Sequence, residues 1–182
     1  KSKTGTEING VFIETFIDPD KLDARFARAN INKVAKAAAH AIKMKASVVT
    51  LGGFTSIVLE GNLDSFAPGK TKFTTGNTLT AAYIVKGIEE AASQLKIELH
   101  KSEILIIGAT GDIGMACVNY LKKKVKKLLL CARNNQRLEK LAIALAKEDI
   151  HADYSTNLQD LIADAAIIIC VASSTGIRLA DC

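Results

Sequence analysis

The sequence predicts an α/β protein in which a Rossmann-like, doubly wound parallel sheet follows a smaller α/β region. Short apolar segments alternate with helical patterns from about residue 103 onward, which is typical of parallel strands joined by right-handed crossovers. A glycine turn at residues 108–114 follows one such strand and opens a helix. The chain has 182 residues, of which 48% are hydrophobic, and is therefore long enough to bury a core in each region.

The boundary between the two regions is predicted near residue 100. In this interpretation residues 1–100 form the smaller α/β substrate or catalytic region, and residues 101–182 form the Rossmann domain. The second region offers about four strands, whereas a full doubly wound domain has six. We therefore expect the Rossmann domain to be incomplete at its C-terminus.

The first region opens with β-branched and aromatic residues that alternate over residues 11–17, which predicts a strand. Asp18-Pro19 then has the pattern of a helix cap with proline at the first helical position. The helical spacing of the following apolar residues predicts a helix that ends near Met44, and residues 47–51 predict a short buried strand.

A cluster of capping residues, Thr74-Thr75-Gly76-Asn77-Thr78, precedes a helix that should end near Lys96. Two interpretations of this cluster stay open. It caps the helix, or the side chains of Asn77 and Thr78 line a cleft between the two regions and orient a substrate carbonyl. The two roles are compatible, so both residues are candidate catalytic groups.

The second region is predicted to alternate strictly between strands and helices. The predicted strands are residues 103–107, 128–131, 152–154 and 166–171, and the predicted helices are residues 112–123, 137–147 and 157–163. The last strand is entirely apolar, so it should be fully buried.

Composition and cysteine spacing argue against several functions. Aromatic residues make up 5% of the chain and tryptophan is absent, which disfavours a base-stacking nucleic-acid surface. No apolar run approaches the ~18 residues that a membrane span requires. The four cysteines have no paired Cys-x-x-Cys spacing, so we expect no metal site and a reducing, cytoplasmic setting.

The glycine turn is the strongest candidate for a binding site. It consists of Gly108, Ala109, Thr110, Gly111, Asp112, Ile113 and Gly114. In such a turn the first glycine permits a sharp exit from the strand, the second lets backbone approach a pyrophosphate, and the third lets the helix pack closely on the strand. The helix N-terminus then offers N–H donors and its positive dipole end to the phosphates. The turn therefore predicts a dinucleotide site.

The end of the next strand indicates which dinucleotide. A cofactor with a free ribose 2′-hydroxyl usually meets Asp or Glu there, but this chain has Arg133 and Asn134, with Arg137 one helical turn on. Guanidinium groups bind a 2′-phosphate through charge-assisted hydrogen bonds. This pattern favours NADP over NAD. The small residues Val171, Ala172 and Ser173 follow the last strand at the same sheet edge and leave room for the ribose and nicotinamide.

Several of these segments resemble the long-chain acyl-[acyl-carrier-protein] reductases of cyanobacteria. The similar segments are residues 51–58, 73–78, 80–81, 108–114, 129–134 and 137–138. More distantly, an Asn-Thr segment, a linking helix and then a dinucleotide fold resemble the layout of shikimate dehydrogenases. The resemblance implies NADPH-dependent reduction of a fatty acyl thioester, carried by acyl carrier protein or coenzyme A, to an aldehyde.

In that family a cysteine thiolate accepts the acyl group before hydride transfer. Its cysteine lies further beyond the Val-Ala-Ser segment than Cys182 does in this chain, so Cys182 is the candidate nucleophile by approximate position only. The strand cysteines Cys131 and Cys170 are expected to be buried and unreactive.

Two other functions, and a surface that could dock a partner, are also compatible with the sequence. The shikimate-like layout allows an NADP-dependent dehydrogenase for a small hydroxy or amino acid, although no Lys–Asp acid/base pair is identifiable. A cofactor-binding module without catalysis is a further alternative. Five lysines between residues 122 and 127 could dock an acidic carrier protein or could simply be a solvated helix end.

Overall fold

The computed structural model describes residues 4–5, 7–22, 25–58 and 69–172. Internal contacts divide the chain into two compact units, Lys1–Gly76 and Asn77–Cys182. The division precedes the boundary near residue 100 because the intervening helix packs against a helix of the second unit. We describe that helix with the second unit, and a functional boundary near residue 100 stays a prediction.

The first unit contains a two-stranded parallel sheet in its described part. Its elements are α1 (Ala27–Lys43), β1 (Val48–Thr50), α2 (Phe54–Val58) and β2 (Lys72–Thr74). Strand β1 pairs with β2 in the register Val49↔Phe73. Val34 of α1 and Leu51 form its buried core, on which Ile17 and Phe73 pack. This small α/β unit agrees with the predicted fold class.

The structure differs from the predicted strand at residues 11–17 and from the predicted burial of β1, whereas the predicted cap at Asp18-Pro19 is confirmed. Residues 11–17 form no strand, since no partner strand pairs with them among the described residues, and Phe12 is 86% exposed. Asp18 does cap a turn, accepting a hydrogen bond from the Asp20 N–H at 3.1 Å, but that turn is a single 3₁₀ turn, Pro19–Lys21. Strand β1 is short, as predicted, but it is not buried, since Val48 and Thr50 are exposed and Val49 is half-buried.

The second unit alternates helices and strands, as predicted. Its elements are α3 (Asn77–Gln94), a 3₁₀ turn (Leu99–Lys101), β3 (Glu103–Ile107), α4 (Asp112–Leu121), β4 (Lys127–Cys131), α5 (Asn135–Ala146), β5 (Ala152–Ser155), α6 (Gln159–Ile162) and β6 (Ile167–Cys170). The strands lie in the order β5-β4-β3-β6 and every pair is parallel. This is the strand order of a doubly wound sheet.

The sheet is covered on both faces, although unequally. Helices α3, α4 and α5 pack on one face, over Ile104, Ile106, Leu128 and Leu130. On the other face the short helix α6 places Leu161 over residues of β3 and β4. Strands β3 and β4 are therefore buried on both sides, which explains their continuous apolar sequences.

Strand β6 departs from the prediction of full burial. Ile168 and Cys170 are exposed, whereas Ile169 is buried. Ile168 pairs with Leu105 and Cys170 with Ile107, so both lie on the α6 face. Helix α6 spans four residues and covers the β3–β4 part of that face, which leaves β6 uncovered by the described residues.

A polar cluster joins α3 to α4. The Tyr120 hydroxyl donates to Glu89 Oε1 at 2.6 Å, and Lys124 Nζ donates to the same oxygen at 2.9 Å. Lys86 binds the other carboxylate oxygen at 2.7 Å. These hydrogen bonds from Lys86, Tyr120 and Lys124 lower the pKa of Glu89 to about 2. The cluster fixes how α3 lies along α4, because one carboxylate is shared between the two helices.

The shared carboxylate makes stability depend on pH. A folded-state pKa below the unfolded value means that Glu89 stabilises the fold above its ordinary pKa, and that this stabilisation is lost as the pH falls toward about 2. We expect Glu89→Gln to lower the denaturation midpoint at neutral pH and to reduce its fall between pH 4.5 and 2. Urea denaturation at a series of pH values measures this. Glu139→Gln, an exposed carboxylate on α5, is the matched control, and equal pH profiles for the two variants would refute the role of Glu89.

Candidate functional site

The order of the strands reverses at β3, and in a doubly wound sheet such a reversal is where a crevice forms at the carboxyl ends of the strands. From β3 the chain proceeds outward through β4 and β5, and then returns to place β6 on the opposite side of β3. In open α/β sheets ligands bind beyond the carboxyl ends of the strands at such a reversal. The predicted glycine turn follows β3 and the small residues Val171 and Ala172 follow β6, so both lie at this edge.

Gly108 makes the sharp exit from β3 possible. Its φ of +89° is a left-handed conformation that glycine adopts without strain. A Cβ at this position would lie 2.8 Å from the backbone nitrogen of Ala172. The N–H groups of Gly108 and Ala109 both donate to the carbonyl of Cys131, at 2.8 and 3.1 Å. The turn is therefore hydrogen-bonded to the end of β4 and packs closely against the residues that follow β6.

Gly114 allows helix α4 to approach the turn. A Cβ here would overlap the carbonyl oxygen of Gly108 and would lie 2.9 Å from Ala109 Cα. At Gly111 the nearest such contact would be an ordinary 3.5 Å from the same oxygen. Packing therefore requires a glycine at 108 and at 114 but not at 111, and a ligand-binding role for Gly111 stays a prediction.

The N-terminus of α4 faces the same edge. Gly111 is its N-cap and has no side chain that could accept from the first turn. The Met115 N–H donates to the Gly111 carbonyl at 2.8 Å, so the N–H groups of Asp112 and Ile113 precede the first helical bond. Uncapped donors at a helix N-terminus suit a phosphate group. The glycine turn and the N-terminus of α4, called the cradle below, therefore have the geometry and the N–H donors that suit a pyrophosphate.

Helix α3 also begins beside this turn. Asn77, its first residue, donates from Nδ2 to Asp112 Oδ2 at 3.3 Å. Thr78 is exposed. The structure therefore brings the predicted catalytic candidate Asn77 next to the predicted cofactor turn. This contact joins residues 35 positions apart, and nothing in the sequence pattern indicates it.

The end of β4 carries the basic residues that the sequence singled out. The Arg133 and Arg137 side chains are exposed, and no acidic residue occurs between Cys131 and Arg137. Asn134 caps α5, because its Oδ1 accepts from the Arg137 N–H at 3.0 Å. The cap holds the start of α5 in place, so Arg133 is fixed at the strand end and Arg137 in the first turn.

The end of β6 completes the edge as far as the structure describes it. Val171 donates its N–H to the carbonyl of Ile107 at 2.9 Å, and Val171 and Ala172 are half-buried. Ser173 and Cys182 lie outside the described residues, so their predicted roles stay predictions.

The described cysteines differ in exposure. Burial raises the pKa of the Cys117 and Cys131 thiols, which makes both poor nucleophiles. Cys170 was expected to be buried, but it is exposed because no described element covers that face of β6.

The basic run between residues 122 and 127 is largely paired. Lys122 contacts Glu148, Lys124 contacts Glu89, Lys126 contacts Glu103 and Lys127 contacts Asp153. These ion pairs favour the interpretation of a solvated helix end over that of a dedicated docking patch.

Two further observations concern the described part of the chain. It contains no helix that is long and apolar enough to cross a membrane. It also contains no group of three or more His, Cys, Asp or Glu side chains arranged to hold a metal ion.

Comparison with known proteins places these features in context. The chain is 37% identical over 182 residues to the long-chain acyl-[acyl-carrier-protein] reductase of Synechococcus elongatus (strain ATCC 33912 / PCC 7942 / FACHB-805), which covers 94% of this chain and 52% of the reductase. It is 25% identical over 178 residues to the aminotransferase PigE of Serratia sp. (strain ATCC 39006), which covers 97% of this chain and 21% of PigE. The chain thus spans about half the length of the reductase. This similarity confirms the resemblance inferred from the motifs.

A family match covers the part of the chain that carries the sheet and its turn. Residues 89–181 match the shikimate / quinate 5-dehydrogenase family. The matched range includes all four strands of the doubly wound sheet, the glycine turn and Arg133. Because the match covers just over half of the chain, the chain belongs to the shikimate / quinate 5-dehydrogenase family of oxidoreductases.

Proposed function

We propose that the second unit binds NADP(H) at the crevice beyond the carboxyl ends of β3 and β6. The cradle at Gly108 and Gly114, in which a Cβ would clash, and the uncapped N-terminus of α4 support binding of the pyrophosphate. Because Gly111 has no side chain, the pyrophosphate would approach the backbone most closely at this residue. Thr110 and Ile113 complete the loop around the phosphates, and Val171, Ala172 and Ser173 would border the nicotinamide ribose.

The end of β4 supports NADP rather than NAD. Arg133 and Arg137 are exposed on the loop and first turn where the adenine ribose would lie, and no carboxylate competes there. We propose that Arg133 binds the 2′-phosphate, that Arg137 adds to its positive field, and that Asn134 positions both by capping α5.

We further propose that the protein of which this chain forms part reduces a fatty acyl thioester to an aldehyde. The observation that carries this proposal is the 37% identity, along nearly the whole chain, to a long-chain acyl-[acyl-carrier-protein] reductase. Bound NADPH would supply the hydride. Asn77 and Thr78 would orient the thioester carbonyl. A cysteine thiolate, for which Cys182 is the candidate, would accept the acyl group as the bond to the carrier sulfur breaks and the carrier thiol leaves. The hydride would then add to the acyl-cysteine carbonyl, and loss of the cysteine thiolate would release the aldehyde.

This reaction is tested by incubating the full-length protein with a long-chain acyl-carrier protein or acyl-CoA and NADPH. We expect a fatty aldehyde, and an acyl group trapped on Cys182 when NADPH is left out. Cys182→Ser should abolish both, whereas Cys170→Ser should leave both. Turnover of a thioester without an acyl-cysteine would contradict the role of Cys182, and no aldehyde would contradict the reaction.

A second candidate function rests on the family match over residues 89–181. An NADP-dependent dehydrogenase of a small hydroxy acid would use the same cofactor crevice. Oxidation of such a substrate with NADP, in the absence of thioester reduction, would favour this candidate. Cofactor binding without turnover of either substrate would indicate a binding module.

The partner and the cellular setting follow from the proposed reaction. An acyl carrier protein is the proposed substrate carrier. Since four lysines of the basic run are ion-paired, we do not assign its docking to that run. A cytoplasmic setting, expected from the cysteine pattern, stays a prediction.

A further inference from the structure

One carboxylate lies where the proposed cofactor would bring its phosphates. Asp112 is the first residue of α4 and the only acidic residue in its first turn. Without a ligand, a carboxylate there is favourable, because it meets the positive end of the helix dipole. With a pyrophosphate at the same N-terminus, like charges within a few ångströms disfavour each other. A helix that binds phosphate therefore needs its carboxylate held elsewhere.

The Asp112 carboxylate is hydrogen-bonded to a residue of the neighbouring helix α3. Asp112 Oδ2 accepts a hydrogen bond from Asn77 Nδ2 at 3.3 Å, across the gap between α3 and α4. The N-cap, Gly111, contributes no side-chain acceptor to the first turn of α4. The carboxylate is thus engaged by the neighbouring helix at a terminus that no side chain caps.

The position of Asn77 relative to α4 is itself fixed. Val85 of α3 is buried in the core that α4 shares. Further along, Glu89 of α3 binds Tyr120 at 2.6 Å and Lys124 at 2.9 Å, both from the C-terminal half of α4 or just beyond it. Because these contacts fix α3 against α4, they also hold the amide of Asn77 close to the Asp112 carboxylate.

We propose that Asn77 is a positioning residue for cofactor binding: it holds the Asp112 carboxylate toward α3 and so keeps the first N–H groups of α4 open to the phosphates. The role rests on the proposed NADP(H) site, but it is distinct from the proposed orientation of the substrate carbonyl. The glycine motif by itself assigns no role to the Asp112 side chain. In this proposal its carboxylate is the group that Asn77 positions.

The role makes a specific prediction about paired substitutions. In Asn77→Ala the carboxylate is released and competes with the phosphates, so NADPH binding should weaken. In Asp112→Asn the charge is gone, so Asn77 is no longer needed for this purpose. Asn77→Ala should therefore weaken NADPH binding in the native background and have little effect on NADPH binding in the Asp112→Asn background.

The experiment is a fluorescence titration of NADPH into the full chain and its variants. We expect Asn77→Ala to raise the Kd about fivefold to tenfold, and the double variant to lie within about twofold of Asp112→Asn, as for two coupled neighbours. Asn119→Ala, an exposed asparagine further along α4, should bind as the native chain does. Thermal unfolding without cofactor should not show the same rescue, which separates positioning from a merely structural role.

The outcomes separate the two proposals. If the native chain binds NADPH and Asn77→Ala binds equally well, the positioning role is overturned and the cofactor site stands. If Asn77→Ala weakens NADPH binding as much in the Asp112→Asn background as in the native background, Asn77 acts other than through Asp112, and the role is again overturned. If the native chain binds no NADPH, the proposed function fails and the role of Asn77 fails with it.

Discussion

Gly114→Ala should destabilise the second unit by about 1–3 kcal/mol, the usual cost of overpacking, and should remove NADPH binding. The added Cβ would overlap the Gly108 carbonyl oxygen and would lie 2.9 Å from Ala109 Cα. Both neighbours are backbone atoms, and the Gly108 and Ala109 N–H groups are bound to the Cys131 carbonyl, so the turn cannot yield without breaking those bonds. Urea denaturation measures the stability, and NADPH titration measures the binding.

Gly111→Ala is the matched control within the same turn. Its Cβ would lie 3.5 Å from the nearest atom outside its chain neighbours, and its φ of −83° suits any residue. We therefore expect native stability together with weakened NADPH binding, because the methyl group lies where the pyrophosphate would approach. Equal stability losses for the two variants would contradict the assignment of packing to Gly114 and of ligand approach to Gly111.

Arg133→Ala should raise the Kd for NADPH at least about tenfold and leave the Kd for NADH nearly unchanged. A charge-assisted hydrogen bond contributes roughly 1.5–3 kcal/mol, and the exposure of Arg133 reduces that contribution toward the lower end. Only NADPH carries the 2′-phosphate, so the loss should be confined to it. Parallel titrations of both cofactors measure the difference.

Lys140→Ala serves as the control for Arg133, since Lys140 is an exposed cation on α5 that lies further from the end of β4. It removes the same charge without touching the proposed phosphate contact. A similar loss of NADPH binding in both variants would indicate a general electrostatic effect. A loss of NADH binding equal to that of NADPH in Arg133→Ala would place Arg133 elsewhere in the site.

Much of the second unit follows from its sequence. Strands β3 and β4 are continuous apolar runs that are buried on both faces, which is typical of a parallel sheet. These runs, together with the glycine turn between them, predict the doubly wound fold. The same reasoning was wrong for β6, because Ile168 and Cys170 are equally apolar but no described helix covers them. The local sequence pattern indicates that a segment forms a strand, whereas the burial of that strand depends on which helices pack over it.

The first unit and the contacts of the site were harder to predict. Residues 11–17 have the composition of a strand but no partner strand, and β2 is a three-residue strand defined by its pairing with β1. The contact between Asn77 and Asp112 depends on how α3 lies along α4, which Glu89 helps to fix. Such contacts join distant parts of the chain and leave no periodic signal in the sequence.

The central claim is that the crevice beyond β3 and β6 binds NADP(H) through the glycine turn and Arg133. Calorimetric titration of the native chain with NADPH and with NADH tests it most directly. We expect saturable binding of both cofactors, with NADPH binding tighter by about tenfold or more, which is the difference expected from one contact to the 2′-phosphate. Equal affinities, or a preference for NADH, would contradict the assignment of Arg133 to the 2′-phosphate, and no binding of either would contradict the site itself.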